Sequence, residues 1–530
     1  VIRRLIVPVL LIAVAIGAAL QARSADEDSD PGIAPSVGPP DFVVGTPMLS
    51  VRRTPEWLRQ PLADNLLANE VRAANLTRVT PPDTCIVTHR DGEEIASIKG
   101  DFLLVPASNQ KILTAAAILE LAPATDTFTT EVVYRRDTPI SELVEGTEEQ
   151  GRELQGDLWL IGGGDPVLST PAYVDRYQEP RAHTDFTVLA DSVASELTAL
   201  GITTVTGGIV ADETRFPSER DYTQELWPSG EFDENNEPIQ VPIWKEEFVQ
   251  ENQVGPLSAL LLNDGYTTWP EDPEVPGARA QNARAGDPAL AAADTLRDLL
   301  AERGIEVQGA SRSELAPLLP ERNSLGSIES PPLSEIVARM LTHSDNTTAE
   351  MLLKEIGVRT GETGARLGAV QGLRSALLDA GYPVTNDMVF ADGSGLSSLN
   401  ETRCTLIIDI LDDAGPDSPL IQGMAVVGET GTLRACLATR TDVDDVAAKT
   451  GTLNDVTALS GMTVADNGDV ITFAMLANGE GVGVTLGTCD LNAANGLPVN
   501  EIQLALIDAV IGHPYGPALD DLAPLNAVGG

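Results

Sequence analysis

Five side chains in three short motifs could carry chemistry in this sequence. Ser108 stands three residues before Lys111 in Ser108-Asn109-Gln110-Lys111, Ser344-Asp345-Asn346 follows far along the chain, and Lys449-Thr450-Gly451 comes last. A serine hydroxyl is a weak nucleophile until a base takes its proton. Positions i and i+3 share a helix face, so Lys111 can reach the Ser108 hydroxyl. A desolvated lysine beside other cations can be neutral enough to accept that proton. A helix N-terminus adds positive potential where an oxyanion develops. Ser344 can relay a proton to a leaving group, and Asn346 can donate to and accept from a substrate amide. Lys449 and Thr450 offer a charge and a hydroxyl to a carboxylate, and their strand edge can pair with an extended peptide.

Each motif also has a plainer reading. Ser-x-x-Lys can be an N-capped helix with a lysine running to the surface, Ser-Asp-Asn is what a helix boundary prefers, and Lys-Thr-Gly can be a solubilising strand edge. The chain, however, has only five lysines (Lys99, Lys111, Lys245, Lys354 and Lys449), and Ser108 is the only serine three residues before one of them. A Ser-His-Asp hydrolase would need a Gly-x-Ser-x-Gly elbow, which Asp392-Gly393-Ser394-Gly395 matches only in part. Gly162-Gly163-Gly164 lacks the Lys-Ser/Thr of a phosphate loop and reads as a tight turn. The four histidines are scattered, with no zinc-ligand spacing, so neither metal nor cofactor is expected. His343 reads as a helix-end residue interacting with carbonyls.

The elements that must position these residues follow from the local pattern. Short strands are expected at 85–87, 95–98 and 102–105, then a helix from Ser108 that is apolar nearly all round and therefore buried. From about 127 to 316 the chain turns to short strands, Gly/Pro turns and acidic loops, with helices at 186–200 and 288–302. Helices are expected at 333–342, 347–357 and 364–380, strands at 447–453, 457–465 and 470–477, and a last helix at 500–511. Asn467-Gly468 predicts a type I′ hairpin turn.

The 530 residues include 34 basic and 79 acidic side chains, a net charge of −45. Such a balance argues against nucleic acid and against a polybasic hold on anionic lipid. Arg3-Arg4, an apolar run from Leu5 to Leu20 and small residues to Ala25 describe a secretory signal, with an uncleaved anchor as the alternative. Residues 26–50 read as an acidic Pro/Gly spacer. The protein is expected outside the cytoplasm, secreted or in the cell envelope, touching membrane only if residues 1–25 stay attached. Four cysteines allow one or two disulfides after export, and proximity favours Cys404 with Cys436.

Taken together, the three motifs in this order are those of the penicillin-interacting serine enzymes. The chain resembles a class C low-molecular-mass penicillin-binding protein of the D-alanyl-D-alanine carboxypeptidase/endopeptidase family, from about Pro82 to Pro514. The resemblance rests also on Pro106-Ala107 before the serine, the long interval from Ser108 to Ser344, and Gly162-Gly163-Gly164-Asp165-Pro166. Asp392-Gly393-Ser394-Gly395-Leu396-Ser397 and Gly431-Thr432-Leu433-Arg434 match as well. It implies an α/β (α+β) fold with a DD-peptidase-like antiparallel sheet flanked by helices. The catalytic part would span 51–126 and 317–516, interrupted at 127–316 by a mainly-β insert of two small domains, with a tail at 517–530. Catalytic residues would be Ser108, Lys111, Ser344, Asn346 and Lys449, with Thr450, Gly451 and Thr452 binding substrate. The N–H groups of Ser108 and Thr452 would form the oxyanion hole. Partners would be peptidoglycan stem peptides and β-lactams; the alternative is a non-catalytic wall- or partner-binding member of the fold. A class A β-lactamase needs a glutamate between the second and third motifs to hydrolyse its acyl-enzyme, and no Glu occurs between Glu362 and Glu401.

The carboxylate excess also carries a stability expectation, because salt screens self-repulsion. The melting temperature should rise from low salt to molar NaCl; a fall would mean that repulsion is not what opposes folding.

Overall fold

The computed structural model describes residues 56–76, 80–142, 151–233, 235–273, 275, 277–437, 446–485 and 501–514, all within one compact unit. The expected signal (1–25), spacer (26–50) and tail (517–530) lie outside them. Among the described residues no helix is long and apolar enough to cross a membrane.

Helix α1 (Glu56–Ala74) leads to the hairpin β1 (Asp83–Arg90) and β2 (Glu93–Ile98), then to α2 (Gln110–Leu121). The middle of the chain supplies β3 (Thr129–Arg135), β4 (Leu158–Ile161), α3 (Phe186–Ala199), β5 (Ile209–Asp212), α4 (Pro288–Glu302), β6 (Arg312–Ser313) and β7 (Arg322–Glu329). Four helices follow: α5 (Leu333–Thr342), α6 (Asn346–Arg359), α7 (Arg366–Asp379) and α8 (Cys404–Ala414). The chain then forms β8 (Ala425–Val426), β9 (Ala447–Leu453), β10 (Val456–Val464), β11 (Val470–Asn478) and α9 (Glu501–Ile511).

Both ends of the chain build one antiparallel sheet, in the order β8-β9-β10-β11-β1-β2. Strand side chains alternate between faces, and here both faces are buried. Ile86, Phe473 and Met475 point to the side covered by α1 and α9, with Leu67, Val71, Ile502 and Leu506. Their neighbours Cys85, Val87, Ala474 and Leu476 point to the side of α2 and α5–α8. Helix α2 lies inside that second layer, which is why its sequence is apolar nearly all round. Its few polar groups bond to one loop: Thr114 Oγ1 donates to the Gly393 carbonyl (2.8 Å) and Gln110 Nε2 to that of Asp392 (3.3 Å).

The inserted chain forms a second, mixed sheet, β6-β5-β4-β3-β7, covered by α3 and α4. Strand β7 pairs with β3, so this sheet continues to Glu329, beyond the expected limit at 316. The stretch between β5 and α4 packs differently. Phe216, Tyr222, Trp244 and Leu257 form an apolar cluster with Met351 of α6 and with Ala391 and Leu396.

Three local expectations change. Residues 102–105 make a single bridge, Leu104 to Thr402, because Phe102 N–H turns back to the Lys99 carbonyl and the Val105 N–H and carbonyl are taken by the Asn478 side chain. The turn at Asn467-Gly468 is not type I′, since only Gly468 has positive φ (+87°). Gly468 donates to the Ala465 carbonyl and Ala465 to that of Asp469, a type I turn with a bulge. The disulfide joins Cys85 to Cys404, not Cys404 to Cys436: α8 packs against β1 and brings their Cα atoms to 6.2 Å, across 319 residues of sequence. Cys436 is disulfide-bonded as well.

A cross-link closing so long a loop removes unfolded-state entropy. Replacing Cys85 and Cys404 together by Ala should therefore cost about 2–4 kcal/mol. Denaturant melts under non-reducing conditions read this out, and an unchanged midpoint would contradict it.

Candidate active site

The approach to Ser108 is backbone-strained. Ala107 has φ +46°, a left-handed conformation that costs an L-residue about 1–2 kcal/mol. It opens a 3₁₀ turn, Ala107–Asn109, that runs into α2. Ser108 thus sits one turn before the α-helix proper, and its hydroxyl is not spent on capping. Two backbone segments press on this turn. Gly395 (φ +81°) lies so close that a Cβ there would strike the Ala107 carbonyl. On the other side, a Cβ on Gly451 would come within 3.1 Å of the Ser108 nitrogen. The Lys-Thr-Gly strand therefore runs beside the serine, as the spacing of motifs required.

Lys111 is fully buried, and its Nζ has three partners: Ser108 Oγ (3.2 Å), Asn346 Oδ1 (2.6 Å) and the Ser394 carbonyl (2.6 Å). Burial lowers its pKa to about 8, against the pull of Asp392, Glu350 and Asp345. Lys449 is buried too and donates to the Thr450 carbonyl (2.7 Å). Burial, and then the charge of Lys111, push its pKa well down. Burial thus disfavours its ammonium form, which an arriving carboxylate would favour.

Asn346 is the first residue of α6, and Asp345 caps that helix by accepting from Thr348 N. The Asn346 amide nitrogen donates to the Gln253 carbonyl (2.7 Å), which orients its oxygen toward Lys111. Ser344 lies between α5 and α6 with φ +55° and lines a hollow shared with Asn346. The partners of Lys111 do not include it. Thr450 Oγ1 donates to Thr432 Oγ1 (3.0 Å). Strand β8 pairs only with Ala447 and Ala448 of β9, so among the described residues no strand pairs with the outer edge from Lys449 to Leu453, Thr452 included.

His343 differs from expectation. It ends α5, but its ring lies 3.7 Å from Glu179 rather than on carbonyls. Burial and the charge of Arg181 lower its pKa to about 4.

Several positioning residues were not singled out by sequence reasoning. The Asp392 carboxylate accepts from Gly395 N, Ser397 N, Asn400 Nδ2 and Trp244 Nε1, all between 2.7 and 2.8 Å. Glu350 accepts from Gly393 N (3.1 Å) and Ser394 N (2.7 Å). Burial and the neighbouring Asp392 raise its pKa to about 8. The sequence held a signal for the loop in its Asp-Gly-Ser-Gly run, but none for Trp244 or Gln253, whose partners lie over ninety residues away.

Comparison with known proteins identifies the family. The model of the D-Ala-D-Ala carboxypeptidase 3 (S13) family matches residues 75–254 and 273–490. The D-alanyl-D-alanine carboxypeptidase of Actinomadura sp. (strain R39) is 29% identical over 446 residues, covering 74% of this chain and 77% of that protein. The carboxypeptidase DacB of Mycolicibacterium smegmatis is 26% identical over 493 residues, covering 90% and 92%. In fold, the chain is similar to penicillin-binding protein 4 of Haemophilus influenzae, with a TM-score of 0.59 and 20% identity over 83% of this chain and 98% of that one. With more than half its length matched by the family model, the chain belongs to the D-Ala-D-Ala carboxypeptidase 3 (S13) family.

Proposed function

We propose that this protein is a serine DD-peptidase of peptidoglycan, working outside the cytoplasmic membrane where that polymer lies. The observation that carries the reading is the buried Lys111 amine in contact with both Ser108 Oγ and Asn346 Oδ1, beside the outer edge of β9. A stem peptide would add to that edge. The Ser108 oxygen would attack the carbonyl of the penultimate D-Ala while its proton passes to Lys111. The resulting oxyanion would rest on the N–H groups of Ser108 and Thr452. Collapse breaks the C–N bond, and the departing amine takes a proton by way of Ser344 or directly from Lys111. Water then cleaves the Ser108 ester, releasing the shortened peptide and restoring the hydroxyl. Lys449, Thr450 and the nearby Thr432 would receive the terminal carboxylate, and Gly451 leaves the backbone room to approach.

A penicillin presents a reactive amide and a carboxylate to the same groups, and should acylate Ser108. Fluorescent penicillin should label the wild type and leave Ser108→Ala unlabelled. Label on both proteins, or on neither, would sink the reading. Turnover of a chromogenic β-lactam should be slow, because Glu350 is committed to two backbone N–H groups and no Glu lies between Glu362 and Glu401.

The base must be neutral to act. Since Lys111 titrates at about 8, the acylation rate should climb from pH 6, reach half its maximum near pH 8, and level off above. A rate constant flat between pH 6 and 9 would remove Lys111 from the role of base.

A further inference from the structure

A hollow of about 150 Å³ opens beside Ser344 and Asn346, and the reaction above leaves its arginines without a role. Arg176, Arg181 and Arg279 line it on one side, His343, Ser344 and Asn346 on the other. Tyrosines hold two of the arginines in place. The Arg181 guanidinium lies 3.6 Å from the Tyr177 ring centroid, and that of Arg176 lies 4.3 Å from Tyr173 and 4.8 Å from Tyr177. Arg279 Nη1 donates to Gln253 Oε1 (2.7 Å).

Among the described residues none of these three arginines is in an ion pair, and the Nε–H of the largely buried Arg181 has no hydrogen-bond partner. The acids on the wall are taken. Asp264 and Asp345 are both bound by Arg339 (2.8 and 3.0 Å), and Tyr173 also donates to Asp264. Glu179 is held by Arg434 (2.9 Å) and Gly431 N (3.1 Å). Arg176 spends its nitrogens on the Tyr173 carbonyl, Asn282 and the Tyr177 hydroxyl and so adds charge rather than free donors; in a chain of net charge −45, three guanidiniums without acid partners among the described residues make one cavity a site for anions.

The position of the hollow selects the anion. The Leu453 end of β9 opens into a different cavity, lined by Leu453–Val456 and Lys245. The Lys449–Thr450 end meets Thr432, whose neighbours Gly431 and Arg434 hold Glu179, and Glu179 in turn lies beside His343. The arginine hollow therefore adjoins the end of the cleft where a departing group leaves. A lone D-Ala carries one carboxylate, which Lys449 and Thr450 can satisfy. The second stem of a cross-linked dimer carries further free carboxylates beyond the scissile bond.

We propose that the hollow formed by Arg176, Arg181 and Arg279 binds carboxylates of the departing strand of cross-linked peptidoglycan. The proposal rests on the DD-peptidase reading of the cleft. Its test is calorimetric titration of full-length Ser108→Ala protein with three probes: an uncross-linked pentapeptide, a cross-linked peptide dimer, and the same dimer with its departing-strand carboxylates amidated. Adding Arg181→Gln or Arg279→Gln should raise the ratio of dimer to pentapeptide Kd roughly tenfold, the loss of one charge-assisted contact. Amidation should weaken the parent's dimer binding to a similar degree. Arg279 is exposed, so its variant carries the test if Arg181→Gln does not fold. A ratio that stays constant, or amidation without effect, would overturn the proposal. Penicillin labelling of the wild type separates the two readings. Labelling with an unchanged ratio removes the subsite alone; arginine-dependent dimer binding without labelling keeps the subsite and removes the catalytic reading.

Discussion

A lysine amine in a dry site is the constraint around which this structure is arranged. Lys111 must be desolvated to be a base near neutral pH, yet a buried ammonium without partners costs several kcal/mol. The fold resolves this with three oxygens of different origin: Ser108 from the same helix, Asn346 from α6, and the Ser394 carbonyl from a loop. Only the first is local in sequence. The other two must be brought in and kept still, and much of the surrounding polar network does that. Asp392 closes its own loop through Gly395, Ser397 and Asn400, while Glu350 fixes Gly393 and Ser394 from below. The charge of Asp392 also offsets part of the burial cost of Lys111.

The inserted chain is part of this arrangement. Trp244 donates to Asp392, the Gln253 carbonyl takes the Asn346 amide, and Gly255 N donates to Thr347 Oγ1. A side-chain amide can present either its oxygen or its nitrogen; the Gln253 carbonyl accepts only, which leaves the Asn346 oxygen for the lysine. The strained Ala107 belongs to the same economy of space. Its carbonyl and the backbone of Gly395 are in van der Waals contact that only a glycine permits, and the left-handed step turns the Ser108 hydroxyl from a capping position toward Lys111.

What the sequence made legible divides along physical lines. Helices at 333–342 and 288–302 were readable to the residue because Pro at 332 and 288 and strong apolar periodicity mark them. The three motifs were readable because serine, lysine and asparagine at those spacings have a chemistry in common. Contacts set by packing were not readable. Cys85 and Cys404 are joined because α8 lies on β1, a fact of topology that proximity in sequence misrepresents. Residues 102–105 have strand composition, but backbone bonds to Lys99 and Asn478 leave one bridge. The Asn467-Gly468 dipeptide fits two turn types, and the register of β10 with β11 decides between them. Gln253 and Trp244 act through a backbone carbonyl and an indole N–H, groups whose roles depend wholly on what the fold sets opposite them.

The charge distribution raises a last physical point. A chain with 45 excess negative charges should repel an anionic wall polymer, yet the substrate must reach a cleft whose two key lysines have their pKa values lowered by burial. At physiological ionic strength charges are screened over about 8 Å, so acids on distant faces barely reach a ligand seated in the cleft. What such a ligand meets is the nearest few side chains. There the balance reverses: Arg339 binds both Asp264 and Asp345, offsetting one of their two charges, and Arg176, Arg181 and Arg279 stand without acid partners among the described residues. Arginine suits that place better than lysine. Its guanidinium keeps its charge when partly desolvated and can stack on a tyrosine, as Arg181 does on Tyr177 while its Nε–H has no hydrogen-bond partner among the described residues.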